Sequence, residues 1–103
     1  MDSVKNIDFT DARKRINSNK AIVIDVRDKE SYNDSHINGS INISNKNFED
    51  FINTTNKKKA VIVYCYHGNS SKNIAELLIN FGFIEVYSLD GGYEMWKSKL
   101  QRS

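Results

Sequence analysis

A chain of 103 residues, 39% of them hydrophobic, can bury one core, so one domain is expected over residues 1–103. Its net charge of +2 argues against nucleic-acid binding: Lys57-Lys58-Lys59 is the only basic run and reads as a solvated loop. One cysteine excludes an internal disulfide, a Cys-x-x-Cys couple and a cysteine-rich zinc site; two histidines, His36 and His67, leave no metal-ligand set. No segment approaches the roughly 20 apolar residues of a membrane span and no leader pattern is seen, so a cytoplasmic protein without cofactor or membrane partner is expected.

In chain order, residues 7–9 read as a short strand and Thr10 as the cap of a helix through Ile16, with Asp11 in its first turn. Residues 21–26 read as a buried strand, 30–34 as a short helix and 41–43 as a third strand. Phe48, Phe51 and Ile52 mark a helix. The run Ala60-Val61-Ile62-Val63-Tyr64 is β-branched and uninterrupted, the pattern of a strand buried on both faces of a parallel sheet. After the loop 65–71, apolar residues recur at helical spacing at Ile74, Leu77, Leu78 and Phe81, and Gly82 closes that helix. Residues 85–89 form a fifth strand, and Asp90-Gly91-Gly92 turn into a last helix. This alternation predicts an α/β fold, a mostly parallel five-stranded sheet with helices on both faces. Its active site belongs at the carboxyl ends of the strands, where Cys65, Arg27 and Asp90 fall.

Cys65 ends the fourth strand and is followed by Tyr66, His67, Gly68, Asn69, Ser70 and Ser71. A free thiol, with a pKa of about 8.5, is mostly protonated near neutral pH; at a helix N-terminus or beside a cation it ionises well below 7. Gly68 lets the backbone curl, Asn69 tolerates left-handed angles, Ser70 and Ser71 are placed to cap the helix, and Lys72 adds charge in its first turn. Converging N–H groups make such a loop a nest for an anion. The competing reading of Cys65 is a small buried hydrophobe, but core packing alone does not call for a Gly-Asn-Ser-Ser loop after it. Lys72 either serves the anion or points into solvent.

The remaining polar positions read mainly as supports. Asp25 and Arg27 lie two apart on one strand face and are expected to brace neighbouring loops by charge-assisted hydrogen bonds. His36 is expected to satisfy carbonyls in a turn, and Trp96 to fill core or cover one side of the active loop. Tyr66 either lines the cleft or packs against the sheet edge. The His67 ring is expected at the cleft mouth rather than in acid–base work.

Residues 65–71, together with Asp90-Gly91-Gly92-Tyr93-Glu94-Met95-Trp96, resemble the rhodanese family, and most closely its small single-domain bacterial sulfurtransferases. Val23-Ile24-Asp25-Val26-Arg27 resembles the family's strand ending in Asp-x-Arg, and residues 36–43 resemble its His-Ile-Pro-Gly-Ala segment, with Asn38 in place of the common proline and Ser35 in place of a common glycine. The motifs fall in the family's order over nearly the whole chain.

The resemblance implies covalent catalysis through a persulfide. Cys65 would take the outer sulfur of thiosulfate, release sulfite, and pass the sulfur to cyanide or a thiol, including a dithiol protein of the thioredoxin kind. The loop amides from Tyr66 to Ser71 would hold the developing charge. A persulfide carrier or interaction module with little turnover of free thiosulfate is the second reading. Cysteine phosphatases and arsenate reductases on the same scaffold want a loop arginine to grip equatorial oxygens, and none lies between Arg27 and Arg102. Ser70 stands where many rhodaneses carry that arginine, so weak affinity for thiosulfate is expected.

Overall fold

The three central strands alternate their side chains between two cores, one on either side of a single sheet. The computed structural model describes residues 4–102. In chain order they form β1 (Lys5–Ile7), α1 (Phe9–Asn17), β2 (Ile22–Asp25), α2 (Lys29–Asp34), β3 (Ile41–Asn42), α3 (Phe48–Thr54), β4 (Val61–Tyr64), α4 (Ser70–Asn80), β5 (Val86–Leu89) and α5 (Gly92–Arg102). Val23, Ile62, Tyr64, Tyr87 and Leu89 face a core completed by Ala12, Tyr93 and Trp96, with Phe9 and Ile16 against it. Ile24, Val61, Val63 and Val86 face the other, completed by Phe51, Ile52, Ala75, Leu78 and Phe83. Helices α1 and α5 therefore cover one face, α3 and α4 the other, and β4 is buried throughout.

The strand order is β1-β5-β4-β2-β3, and every pairing is parallel, where the sequence predicts a mostly parallel sheet. From the adjacent strands β2 and β4 the chain leaves in opposite directions, β2 toward β3 and β4 toward β5. Such a switch point opens a crevice at the carboxyl ends of the strands. Asp25 pairs with Tyr64 in register, so the segments Val26-Arg27 and Cys65-Tyr66 leave the sheet side by side.

The first strand lies two residues earlier than the sequence suggests. Pairing of Ile7 with Leu89 ends β1 there, and the Asp8 carboxylate accepts the Asp11 N–H at 2.9 Å. Asp8, rather than Thr10, is thus the N-cap of α1, and Thr10 lies inside the helix. Ile43 falls just beyond β3 yet still donates its N–H to Asp25 O at 2.8 Å.

Candidate active site

The sulfur of Cys65 stands where a capping oxygen would stand in an ordinary helix. Sγ accepts the N–H of Gly68 at 3.1 Å and that of Ser71 at 3.3 Å. Asn69 is the N-cap by position, with no side-chain bond to the helix. Neither Ser70 nor Ser71 caps α4 as the sequence suggests: Ser70 is exposed inside the first turn, and the Ser71 hydroxyl pairs with that of Ser88, their Oγ atoms 2.7 Å apart. The positive end of the α4 dipole and first-turn N–H groups that lack helical partners meet at the sulfur. Burial pushes the Cys65 thiol up, but the polar groups around it, the Ser71 hydroxyl and the N–H groups of Ser71, Gly68 and His67, outweigh it, and the net shift is downward. Cys65 is 4% exposed, so its charge would sit in protein dipoles rather than in bulk water.

A second helix fixes the loop from behind. Tyr93 N–H donates to Cys65 O at 2.8 Å and Glu94 N–H to Tyr66 O at 3.1 Å, so the loop's carbonyls satisfy the first turn of α5. This approach needs Gly92. A Cβ there would lie 2.5 Å from Tyr66 O and 2.6 Å from Cys65 O, at a φ of +61°.

Arg27 and Asp25 form a buried pair beside the loop. Arg27 Nη2 donates to Asp25 Oδ2 at 2.8 Å and to Ser35 O at 2.6 Å, which ties β2 to the turn after α2. The guanidinium carbon lies 4.3 Å from the Tyr93 ring centroid and 5.6 Å from those of Tyr64 and Tyr66. Burial works against the Arg27 charge, yet its bonds to Asp25 win and hold its pKa above the ordinary value. The sequence places Asp25 and Arg27 on one face as braces for neighbouring loops; their bond to each other and the three rings around Arg27 have no counterpart in that reading.

The Tyr66 phenol bonds to Asp28 Oδ1 and to Ser31 Oγ at the start of α2, 38 and 35 residues away. It sits over Arg27 at the loop's edge and is 40% exposed. The Tyr66 bond, with those from Ser31, holds the Asp28 carboxyl at about 2. Asp28 and Ser31 were not anticipated; the only sequence signal is an aspartate ahead of a short helix, which it caps through the Ser31 N–H.

The other anticipated residues lie further out. His67 is exposed, and its ring borders a hollow with Gly91, Glu94 and Met95. His36 Nδ1 bonds Tyr32 O at 2.7 Å and its ring stacks on Tyr32 at 3.9 Å. Trp96 is buried against Phe9 of α1, ring centroids 4.8 Å apart, in the core rather than over the loop. Lys72 is exposed in the first turn of α4. Beside the loop, a cleft of about 470 Å³ is walled by Arg27, Ile43, Phe48, Ile74 and Leu77 and touches the loop at Ser70. Among the described residues no group of three His, Cys, Asp or Glu side chains is arranged to hold a metal ion, and no helix is long and apolar enough to cross a membrane.

A model of the rhodanese-like domain matches residues 8–99. The chain is 46% identical over 85 residues to the thiosulfate sulfurtransferase GlpE of Ectopseudomonas mendocina, covering 82% of this chain and 78% of that one. It is 39% identical over 94 residues to the protein of the same name from Coxiella burnetii, covering 91% and 88%. A rhodanese-related protein from Thermoplasma volcanium superposes with a TM-score of 0.79 at 27% identity, over 92% of each chain. The human single-domain sulfurtransferase superposes at 0.84 with 18% identity, over 94% and 98%, a likeness of fold.

Proposed function

The chain belongs to the rhodanese family, and on that footing we propose that it is a thiosulfate sulfurtransferase whose Cys65 carries the sulfur as a persulfide. The observation that carries this reading is the Cys65 sulfur accepting the Gly68 and Ser71 N–H groups at the entrance of α4. The Cys65 thiolate attacks the outer sulfur of thiosulfate; the sulfur–sulfur bond breaks and its electron pair leaves with sulfite. Cys65–S–S⁻ remains, and the N–H groups that hold the thiolate also favour charge spread over the pair of sulfurs. A nucleophilic acceptor, cyanide or a thiol such as that of a thioredoxin-like dithiol protein, then takes the outer sulfur and restores the thiolate. No general base is needed, since the hydrogen bonds at Sγ favour the ionised thiol from the start. A reducing, cytoplasmic setting belongs to this reading, supported by the one free thiol that has to stay reactive.

Tyr66 to Ser71 bind the transferred sulfur and Lys72 assists at the mouth, while Asp25, Arg27, His36 and Trp96 support the frame. Phosphoryl and arsenyl transfer are disfavoured, because no arginine stands in the loop and Arg27 is already engaged by Asp25 and Ser35. A pure docking role is disfavoured by the stabilised thiol, for which docking has no use. Thiocyanate formation from thiosulfate and cyanide tests the reading. Ping-pong kinetics in the parent and none in Cys65→Ser are expected; turnover surviving in Cys65→Ser would refute it.

A further inference from the structure

Two hydroxyls lie buried between α4 and β5, where apolar side chains would pack as well. Ser71 is fully buried and Ser88 is 1% exposed, and their Oγ atoms are 2.7 Å apart. Ser88 shares a face of β5 with Val86, which packs with Ala75 and Leu78 of α4. Burying a hydroxyl is unfavourable unless it is hydrogen-bonded, so each serine makes the other tolerable. Replacing both by apolar groups of similar shape is close to neutral for a fold, so stability alone does not account for the pair. Ser71 is also the residue whose N–H meets Cys65 Sγ at 3.3 Å, and its hydroxyl is among the groups that favour the charged sulfur.

We propose that Ser88 is a positioning residue for the Cys65 sulfur: by donating its O–H to Ser71 Oγ, it turns the Ser71 O–H toward Sγ and adds a side-chain donor to the backbone nest. This rests on the sulfurtransferase reading of Cys65 and extends it to groups behind the loop. A pair of hydroxyls can run in either direction, because each oxygen both donates and accepts. A neutral thiol leaves that direction open, whereas a thiolate only accepts and selects the order Ser88 to Ser71 to Sγ. Bonds in such a series polarise one another, so the second hydroxyl strengthens the first.

Cys65 is the only cysteine, so the pH profile of its alkylation by iodoacetamide reads this thiol alone, with no sulfur donor present. Ser88→Ala is expected to move the midpoint upward by roughly half a pH unit to one unit, and Ser71→Ala at least as far. The double variant should move it no further than Ser71→Ala, since both act through one bond to sulfur. Ser88→Thr, which keeps a hydroxyl, should stay with the parent. An unchanged midpoint in Ser88→Ala, whatever its melting temperature, or additive shifts in the double variant, would overturn the proposal. If these shifts appear while the parent gains no sulfur from thiosulfate, the positioning role stands and the sulfurtransferase reading falls.

Discussion

Ser71 gives its backbone N–H to the sulfur of Cys65 across 3.3 Å, six residues along the chain, so the atom that carries charge is also an acceptor at the start of α4. Helix and thiolate therefore stabilise each other. Ionising the thiol strengthens the cap, and a well-formed first turn favours ionisation.

The pH dependence follows in sign. The folded pKa of Cys65 lies below that of the unfolded thiol, so the associated stability is fully present above the unfolded pKa and is lost as pH falls through the folded one. Alkylation of the native protein should level off at lower pH than alkylation of the chain unfolded in urea. Coincident profiles would contradict the account of the nest.

Gly92→Ala should separate backbone crowding from backbone conformation. Its Cβ would overlap the Cys65 and Tyr66 carbonyls at a positive φ, and the combined strain is expected to cost about 2–4 kcal/mol. Gly39 has a φ of +83° but nothing within 4 Å of an added Cβ, so Gly39→Ala should cost only about 1 kcal/mol. Urea denaturation gives both losses, and transfer assays should show a defect in Gly92→Ala alone. Equal losses would mean that α5 does not hold the loop.

Asp25→Ala leaves the Arg27 guanidinium, whose side chain is 4% exposed, without its counter-charge. A buried charge orphaned in this way costs about 3–5 kcal/mol. Adding Arg27→Met should recover much of the loss, since the three tyrosine rings around that position accept an apolar chain. A loss in Asp25→Ala below about 1 kcal/mol, the range of exposed pairs, would show that water reaches the pair.

Lys72→Ala should raise KM for thiosulfate by a few-fold to about tenfold with little change in kcat, the effect of one exposed charge contact acting on ground and transition states alike. A cation in the first turn of α4 opposes the helix dipole, which suggests service to an anion. KM measured against ionic strength checks this. An unchanged KM in the variant, with no salt dependence in the parent, would leave the backbone amides as the binding element.

The sheet and the place of Cys65 are legible in the sequence because buried parallel strands read as continuous apolar runs and because core packing alone does not call for a Gly-Asn-Ser-Ser segment after a cysteine. The start of α1 is not, since Asp8 and Thr10 are both competent caps and pairing of Ile7 with Leu89 decides between them. Ser71 reads as a capping hydroxyl from sequence alone. Its contact with Ser88, 17 residues away, depends on how α4 lies on β5, and the one hint is a polar residue in the otherwise apolar run Val86-Tyr87-Ser88-Leu89. The Tyr66–Asp28 bond spans 38 residues and has no local signal at all.

In the proposed reaction Cys65 holds sulfur covalently between donor and acceptor. Intact-mass measurement after incubation with thiosulfate tests it most directly. A gain of one sulfur atom is expected, carried on the peptide containing Cys65, reversed by cyanide or a dithiol and absent from Cys65→Ser. No gain in the parent, or sulfur found on a peptide without Cys65, would contradict it.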